Sequence, residues 1–261
     1  MNILSLAGSY FRIGALNELQ YRVNFFLQLF QSLIALATGL FGLAIVFAHT
    51  TELRGWTRPE LLVVMGVHVL MGGVIRTTIQ PNMERLMGDV QQGTLDFALT
   101  KPADSQVLVS VREIRIWQTV DIVVGLVLVA VAVYQLQSIL SISAVAGFLV
   151  ALLLGTTTIY SFWLMLTTGA FWIVRMDQIV ELFQGVYQAG RWPVGIYPGW
   201  LRTGLTFLVP IAFAVTVPAE ALTGRLTWQT LLGAALLSLA LMVLARRVWR
   251  IGLRRYSGAS A

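Results

Sequence analysis

The chain has 261 residues, 57% of them hydrophobic and only 11% charged, with a net charge of +6, whereas ordinary soluble domains are roughly 25% charged. Its mean hydropathy is +0.78, and residues 122–174 contain no Asp, Glu, Lys or Arg; a spanning helix takes about 20 apolar residues, so the composition excludes a soluble domain and predicts an all-α polytopic membrane protein. The apolar runs do not alternate every second residue, which excludes a transmembrane barrel, and the absence of cysteine excludes disulfides and thiolate metal sites.

In chain order, residues 3–22 place Leu4, Ala7, Phe11, Ala15 and Leu19 at helical spacing, with Arg12, Glu18 and Arg22 interspersed. This pattern predicts an N-terminal helix lying in the membrane interface, within residues 1–24. The run 25–48 is too long for a signal-peptide core and is expected to stay as the first span. The second span is expected over 60–80, with Pro59 in its first turn and Pro81 closing it. A polar loop follows within 81–106. Val107, Leu108, Val111, Ile114 and Trp117, opposite Arg112, Glu113 and Arg115, predict an amphipathic entry helix into a third span over 119–134. The apolar run 142–174 has 33 residues, too long for one untilted span, so it projects beyond the bilayer or bends near Gly155 or Gly169.

Residues 177–191 are helical in pattern. The cluster Trp192, Pro193, Tyr197, Pro198 and Trp200 suits a membrane–water boundary. Residues 203–219 are free of charge but broken by Pro210 and Pro218, and the last span covers 228–245 before a basic tail over 246–261. If 203–219 is re-entrant, there are six transmembrane helices and residues 192–225 form an extracytoplasmic, re-entrant region. The 18 Lys and Arg residues then divide into 13 on the side of both termini and five, Arg54, Arg58, Arg191, Arg202 and Arg225, on the other. The positive-inside rule makes the richer side cytoplasmic. Non-helical backbone at membrane depth needs protein or water beside it.

The segment 89–102, DVQQGTLDFALTKP, holds the only lysine of the chain, Lys101. Gly93 is expected to break the preceding helix and Thr94 to cap the next through its hydroxyl. Asp96 lies in the first turn, where the helix dipole favours negative charge. Leu95, Phe97, Ala98 and Leu99 form a short apolar helix ended by Pro102, and Asp104 or Ser105 caps the helix after it. Such a helix transmits a push well; a plain connector fits the same chemistry.

GTLDFALTKP, following DVQQ between the second and third spans, resembles permease subunits of ATP-driven exporters of the ABC-2 type. The arrangement of spans, with a proline-broken segment before the last one, is similar too. The resemblance implies one transmembrane permease domain over 1–261 in a bacterial-type inner or plasma membrane. It also implies a coupling helix in this loop, carried onto Gly93, Thr94, Leu95, Asp96, Lys101 and Pro102, that seats on an ABC ATPase subunit. A second copy or a related permease would complete the membrane part, and ATP with Mg²⁺ would belong to the ATPase. The chain has no phosphate-binding loop, since Lys101 stands between Thr100 and Pro102, and it is not expected to be an enzyme. The residues alone also fit a membrane scaffold that recruits a cytoplasmic partner through 89–102. A secondary transporter would call for inverted repeats and deep ionisable groups, and neither stands out.

Asp177, Glu181, Gln184 and Gln188 share one helical face. They line a polar route or a subunit interface, or the acids simply mark the cytoplasmic boundary. Arg76 and Asp121 sit near the ends of their spans and are expected to pair. His68, alone among apolar residues, is expected to be a packing residue, and His49 has no neighbouring ligand. The C-terminal arginines suit anionic lipid headgroups; nucleic acid is not expected as a partner.

Overall fold

The computed structural model of the protein describes residues 22–102, 104–137, 141–172 and 178–256. The interfacial helix expected before residue 22, and Asp177, lie outside them. The described chain is an all-α bundle. Five helical stretches are long and apolar enough to cross a membrane: Val23–His49, Arg58–Gln91, Ile116–Leu136, Ile142–Phe171 and Trp228–Leu253.

The first long helix, α1 (Arg22–His49), ends at a two-stranded hairpin, β1 (Glu52–Leu53) and β2 (Trp56–Thr57). Arg54 and Gly55 both have positive φ, +50° and +79°, the requirement of a two-residue type I′ hairpin turn. Next, α2 (Arg58–Val74) starts with Pro59 in its first turn, and the Glu60 carboxylate accepts the Thr57 backbone N–H at 2.7 Å.

Pro81 does not close this helix. A π turn at Ile75–Ile79 widens the coil, and α3 (Gln80–Gln91) continues it with Pro81 in the first turn. A proline lacks the N–H that would serve the carbonyl four residues back. Here that carbonyl, of Thr77, accepts the Arg115 backbone N–H at 3.0 Å, and the Asn82 side chain serves Thr78 at 2.6 Å. The combined helix of 34 residues is about 50 Å long at 1.5 Å per residue. It therefore overshoots a hydrocarbon core of about 30 Å and carries the 89–102 loop clear of it.

Two short helices follow, α4 (Asp96–Leu99) and α5 (Ser105–Ser110). The expected entry helix over 107–117 is only its first part: the chain leaves α5 at Ser110, runs without helix through 112–115 and takes a 3₁₀ turn at Ile116–Gln118 before α6 (Thr119–Leu136). The charges that looked like one helical face serve instead as a set of cross-links. Helices α2 and α6 touch backbone to backbone: a Cβ on Gly125 would lie 2.4 Å from the Leu70 nitrogen, and Gly66 and Gly73 are as tightly met by Val129 and Ile122. Small residues at such contacts allow the close approach that stabilises helix pairs in lipid.

Helix α7 (Ile142–Thr168) is continuous through Gly155 and tightens to 3₁₀ at Gly169–Phe171. The chain resumes as α8 (Gln178–Tyr187) and a 3₁₀ turn at Gln188–Arg191. This segment climbs the whole height of α2. Gln184 bonds to Gln80 at 3.3 Å, Tyr187 donates to the His68 carbonyl at 2.8 Å, and the Gly195 carbonyl accepts from Arg54 at 3.4 Å.

Then α9 (Gly199–Thr203), π turns at Gly204–Leu208 and Ala212–Thr216, and α10 (Val217–Leu222) form a pair bent by 80°. The break falls at Pro210. Pro218 does not break the chain; it sits in the first turn of α10 behind a π turn, the same accommodation as Pro81. Arg225, just past the pair, donates to Glu60 at 2.8 Å and to the Gly55 carbonyl at 2.5 Å, and stacks over Trp56 at 4.6 Å. Entry and exit of the bent pair are thus both bound to the 52–60 corner, and of the two prolines only Pro210 marks the break. The last helix, α11 (Trp228–Leu253), returns to the end that carries the 89–102 loop.

Candidate functional site

Two regions carry the polar chemistry: the 89–118 end and a cavity between α1, α2, α6 and α8.

In the first, Gly93 ends α3 with φ +70°. The Thr94 N–H reaches the Asp89 carbonyl at 2.9 Å and the Gly93 N–H reaches Val90 at 3.4 Å, the paired bonds of a Schellman cap. Thr94 does not cap α4. Its hydroxyl bonds the Asp89 carboxylate at 3.2 Å, and Leu95 occupies the cap position without a side-chain bond. The reason is geometric: the Schellman turn spends Thr94 on closing α3. Asp96 does lie in the first turn of α4. Leu95 and Ala98 are buried in the main core, while Phe97 is 76% exposed, beside exposed Lys101 and Pro102. The short helix thus has an anchored inner face and an aromatic outer face.

Around it runs a lattice of ion pairs that no local pattern announced. Arg112 meets Asp89 at 2.6 Å with both side chains largely buried, Arg115 meets Glu84 at 2.6 Å, and Arg85 pairs with Glu113. Asn82 brackets Glu113, donating to its carbonyl at 2.8 Å and accepting its N–H at 2.9 Å. Asp104 caps α5, accepting from Gln106 at 3.0 Å and Val107 at 3.3 Å, and pairs with Arg246 of α11. That guanidinium, with the two backbone bonds, holds the Asp104 carboxyl below its ordinary range against the opposing effect of burial. Trp249 donates to Ser105 at 3.3 Å. Tyr256 lies by Leu95 and Asp96, where burial and the nearby carboxylates push its phenol up. The loop is therefore fastened to α3, to the 111–118 strap and to α11.

The second region is a cavity of about 250 Å³. At one end Arg76 and Asp121 pair at 2.6 Å, as expected, and Gln28 and Ser32 of α1 also donate to that carboxylate. Gln118 holds Gln28 at 2.9 Å. At the other end stand His68, Gln188 and Arg191. His68 is buried and stacked on Tyr187 at 4.5 Å, consistent with packing, yet its Nδ1 has no hydrogen-bond partner. Arg191 was grouped with the outer loops by sequence; the structure turns it into this cavity. Gln184 lines a smaller, 40 Å³ space that shares Arg76 and Gln188 with the main one. Glu181 and Gln184 are exposed on α8 and Gln188 on the 3₁₀ turn that follows it, and of these only the amides reach the cavities. Spacing within α8 made that face legible; the contributions of α1 and α6 had no sequence signal beyond single polar residues in apolar runs.

A family model described as ABC-2 family transporter protein matches residues 33–260. No curated protein and no solved structure matches the chain.

Proposed function

The chain belongs to the ABC-2 family of transporter proteins, and from that premise we propose that it is the permease of an ATP-driven exporter whose ATPase docks on α4. As a member it is a multi-pass membrane component of a transporter, and catalysis is not the role of such components. The finer reading concerns the partner, the direction and the orientation. ATP and Mg²⁺ sit on a separate ABC ATPase subunit, a second copy or a related permease completes the membrane part, and the 89–118 end faces the cytoplasm.

One observation carries this reading: Phe97 projects from a four-residue helix whose Leu95 and Ala98 are locked in the core. A large exposed aromatic on a firmly seated base suits insertion into a groove, because anchors of this kind dominate interface energies. The family resemblance assigns coupling to Gly93, Thr94, Leu95, Asp96, Lys101 and Pro102, and the geometry divides their work. Gly93 and Thr94 shape the turn, Leu95 seats the helix, and Asp96, Lys101 and Pro102 flank Phe97. Displacement of α4 would pass into α3 through Thr94 and Asp89, and into α11 through Asp104 and Arg246. Stiff ion-paired links transmit such a displacement where a mobile loop would absorb it.

The test is purification of the tagged protein from its native membrane. An ABC ATPase is expected to copurify, and Phe97→Ala is expected to weaken that association by about 2 kcal/mol, roughly 30-fold. Asp96→Arg with Leu99→Arg is expected to abolish stimulation of the ATPase. Copurification of a different partner in its place, or unchanged coupling in these variants, overturns the reading.

A further inference from the structure

We propose that the cavity between α1, α2, α6 and α8 receives the anionic headgroup of an amphipathic substrate. The inference rests on the permease reading and names the class of cargo.

Charge comes first. Asp121 is heavily engaged: Oδ1 accepts from Ser32, and Oδ2 accepts from Gln28 and from both Nε and Nη2 of Arg76. Arg191, by contrast, donates once, to Gln188 at 2.8 Å, and has no carboxylate within ion-pair distance among the described residues. Two guanidiniums against one carboxylate leave one positive charge on the cavity wall. An ionised group at membrane depth is costly without a partner, and an anion of single charge supplies one.

Donor chemistry agrees. Beside Arg191, the wall presents the Gln31 and Gln188 amides and part of the buried His68 ring. The remaining wall is apolar, formed by Ala35, Leu36, Met65 and Val69. At about 250 Å³ the cavity is below the roughly 300–1,000 Å³ of pockets that enclose whole drug-sized ligands. It holds a headgroup while the apolar body stays outside. Beyond the wall, α1 keeps apolar side chains such as Leu27, Ile34 and Phe41 exposed for that body to lie against.

The test is equilibrium binding to the purified full-length chain in neutral detergent, with dioctanoyl phosphatidylglycerol, dioctanoyl phosphatidylcholine and glycerol phosphate as probes. Phosphatidylglycerol is expected to bind at least tenfold more tightly than the zwitterionic lipid. Arg191→Gln is expected to remove that preference and Arg191→Lys to retain most of it, with thermal unfolding of each variant checked first. Arg58→Gln, at the exposed start of α2, is expected to leave the preference intact. A preference that survives Arg191→Gln, or that falls with Arg58→Gln instead, overturns the site. Glycerol phosphate binding as tightly as the lipid overturns the amphiphile. Binding needs no ATPase, so the two readings fail separately: loss of lipid preference with an ATPase still copurifying removes only this one.

Discussion

Asp89 is the residue on which the 89–118 end turns. One oxygen holds Thr94, the other holds Arg112, and its backbone carbonyl closes the Schellman turn. With both members of the Asp89–Arg112 pair largely buried, removal of one leaves an uncompensated charge, which costs about 3–5 kcal/mol in buried settings. Arg112→Met is therefore expected to lower the unfolding midpoint by several degrees and to speed amide exchange at residues 93–99. The Asp104–Arg246 pair is more exposed, and exposed pairs contribute about 0–1 kcal/mol. Because the Asp104 carboxyl is held below its ordinary value of 3.8, its stabilisation is present above that value and is lost as pH falls through the lower folded-state value. Asp104→Asn keeps an effective cap but removes the charge. It is expected to flatten the acid dependence of amide exchange at Gln106 and Val107, whereas Asp104→Ala should also raise that exchange at neutral pH.

At the scale of elements, two of the three π turns and the α2–α6 seam decide the bundle. Pro81 and Pro218 each stand just behind a π turn. A proline in an apolar run reads locally as a helix end, because it lacks a donor and crowds the carbonyl four residues back. Whether the helix actually ends depends on whether another segment serves that carbonyl, and here the Arg115 N–H serves Thr77. The seam is governed by Gly125. Gly125→Ala would set a Cβ 2.4 Å from the Leu70 nitrogen, a contact with backbone that no rotamer relieves. Overpacking of this kind costs about 1–3 kcal/mol, so the variant is expected to unfold at lower temperature and to bind detergent-accessible probes along α6. Gly233→Ala, with open space at the same added atom, is expected to be neutral.

For the whole molecule, the described ends of the chain lie at the same face. The start of α1 packs Phe25 against Trp117, and the end of α11 places Trp249 on Ser105; the 52–60 corner and Arg225 are at the opposite face. The absence of cysteine makes this directly measurable. Single cysteines at Phe97 and Arg255 are expected to react with a membrane-impermeant thiol reagent from the cytoplasmic side, and one at Gly224 from the other. Labelling of positions 97 and 224 from the same side would contradict the fold.

Composition, hydropathy and local turn chemistry determined the fold class, the long apolar spans, Gly93 as the end of α3, Asp104 or Ser105 as the cap of α5 and the break at Pro210. Each of these follows from forces acting within a turn or a span: apolar transfer, backbone donors, and the φ freedom of glycine. Only the tertiary structure decided that Thr94 serves Asp89 rather than α4, that residues 111–118 form an ion-paired strap rather than an entry helix, and that Arg191 faces His68 and Arg76. The last two outcomes depend on partners tens to more than a hundred residues apart, and periodicity carries no information about which distant charge a side chain will meet; the first follows from the Schellman turn, which brings Thr94 back onto Asp89. The cavity is the clearest case, since α1, α2, α6 and the 3₁₀ turn after α8 each contribute one or a few polar groups that look incidental in their own segments and become a site when packing closes them around one space.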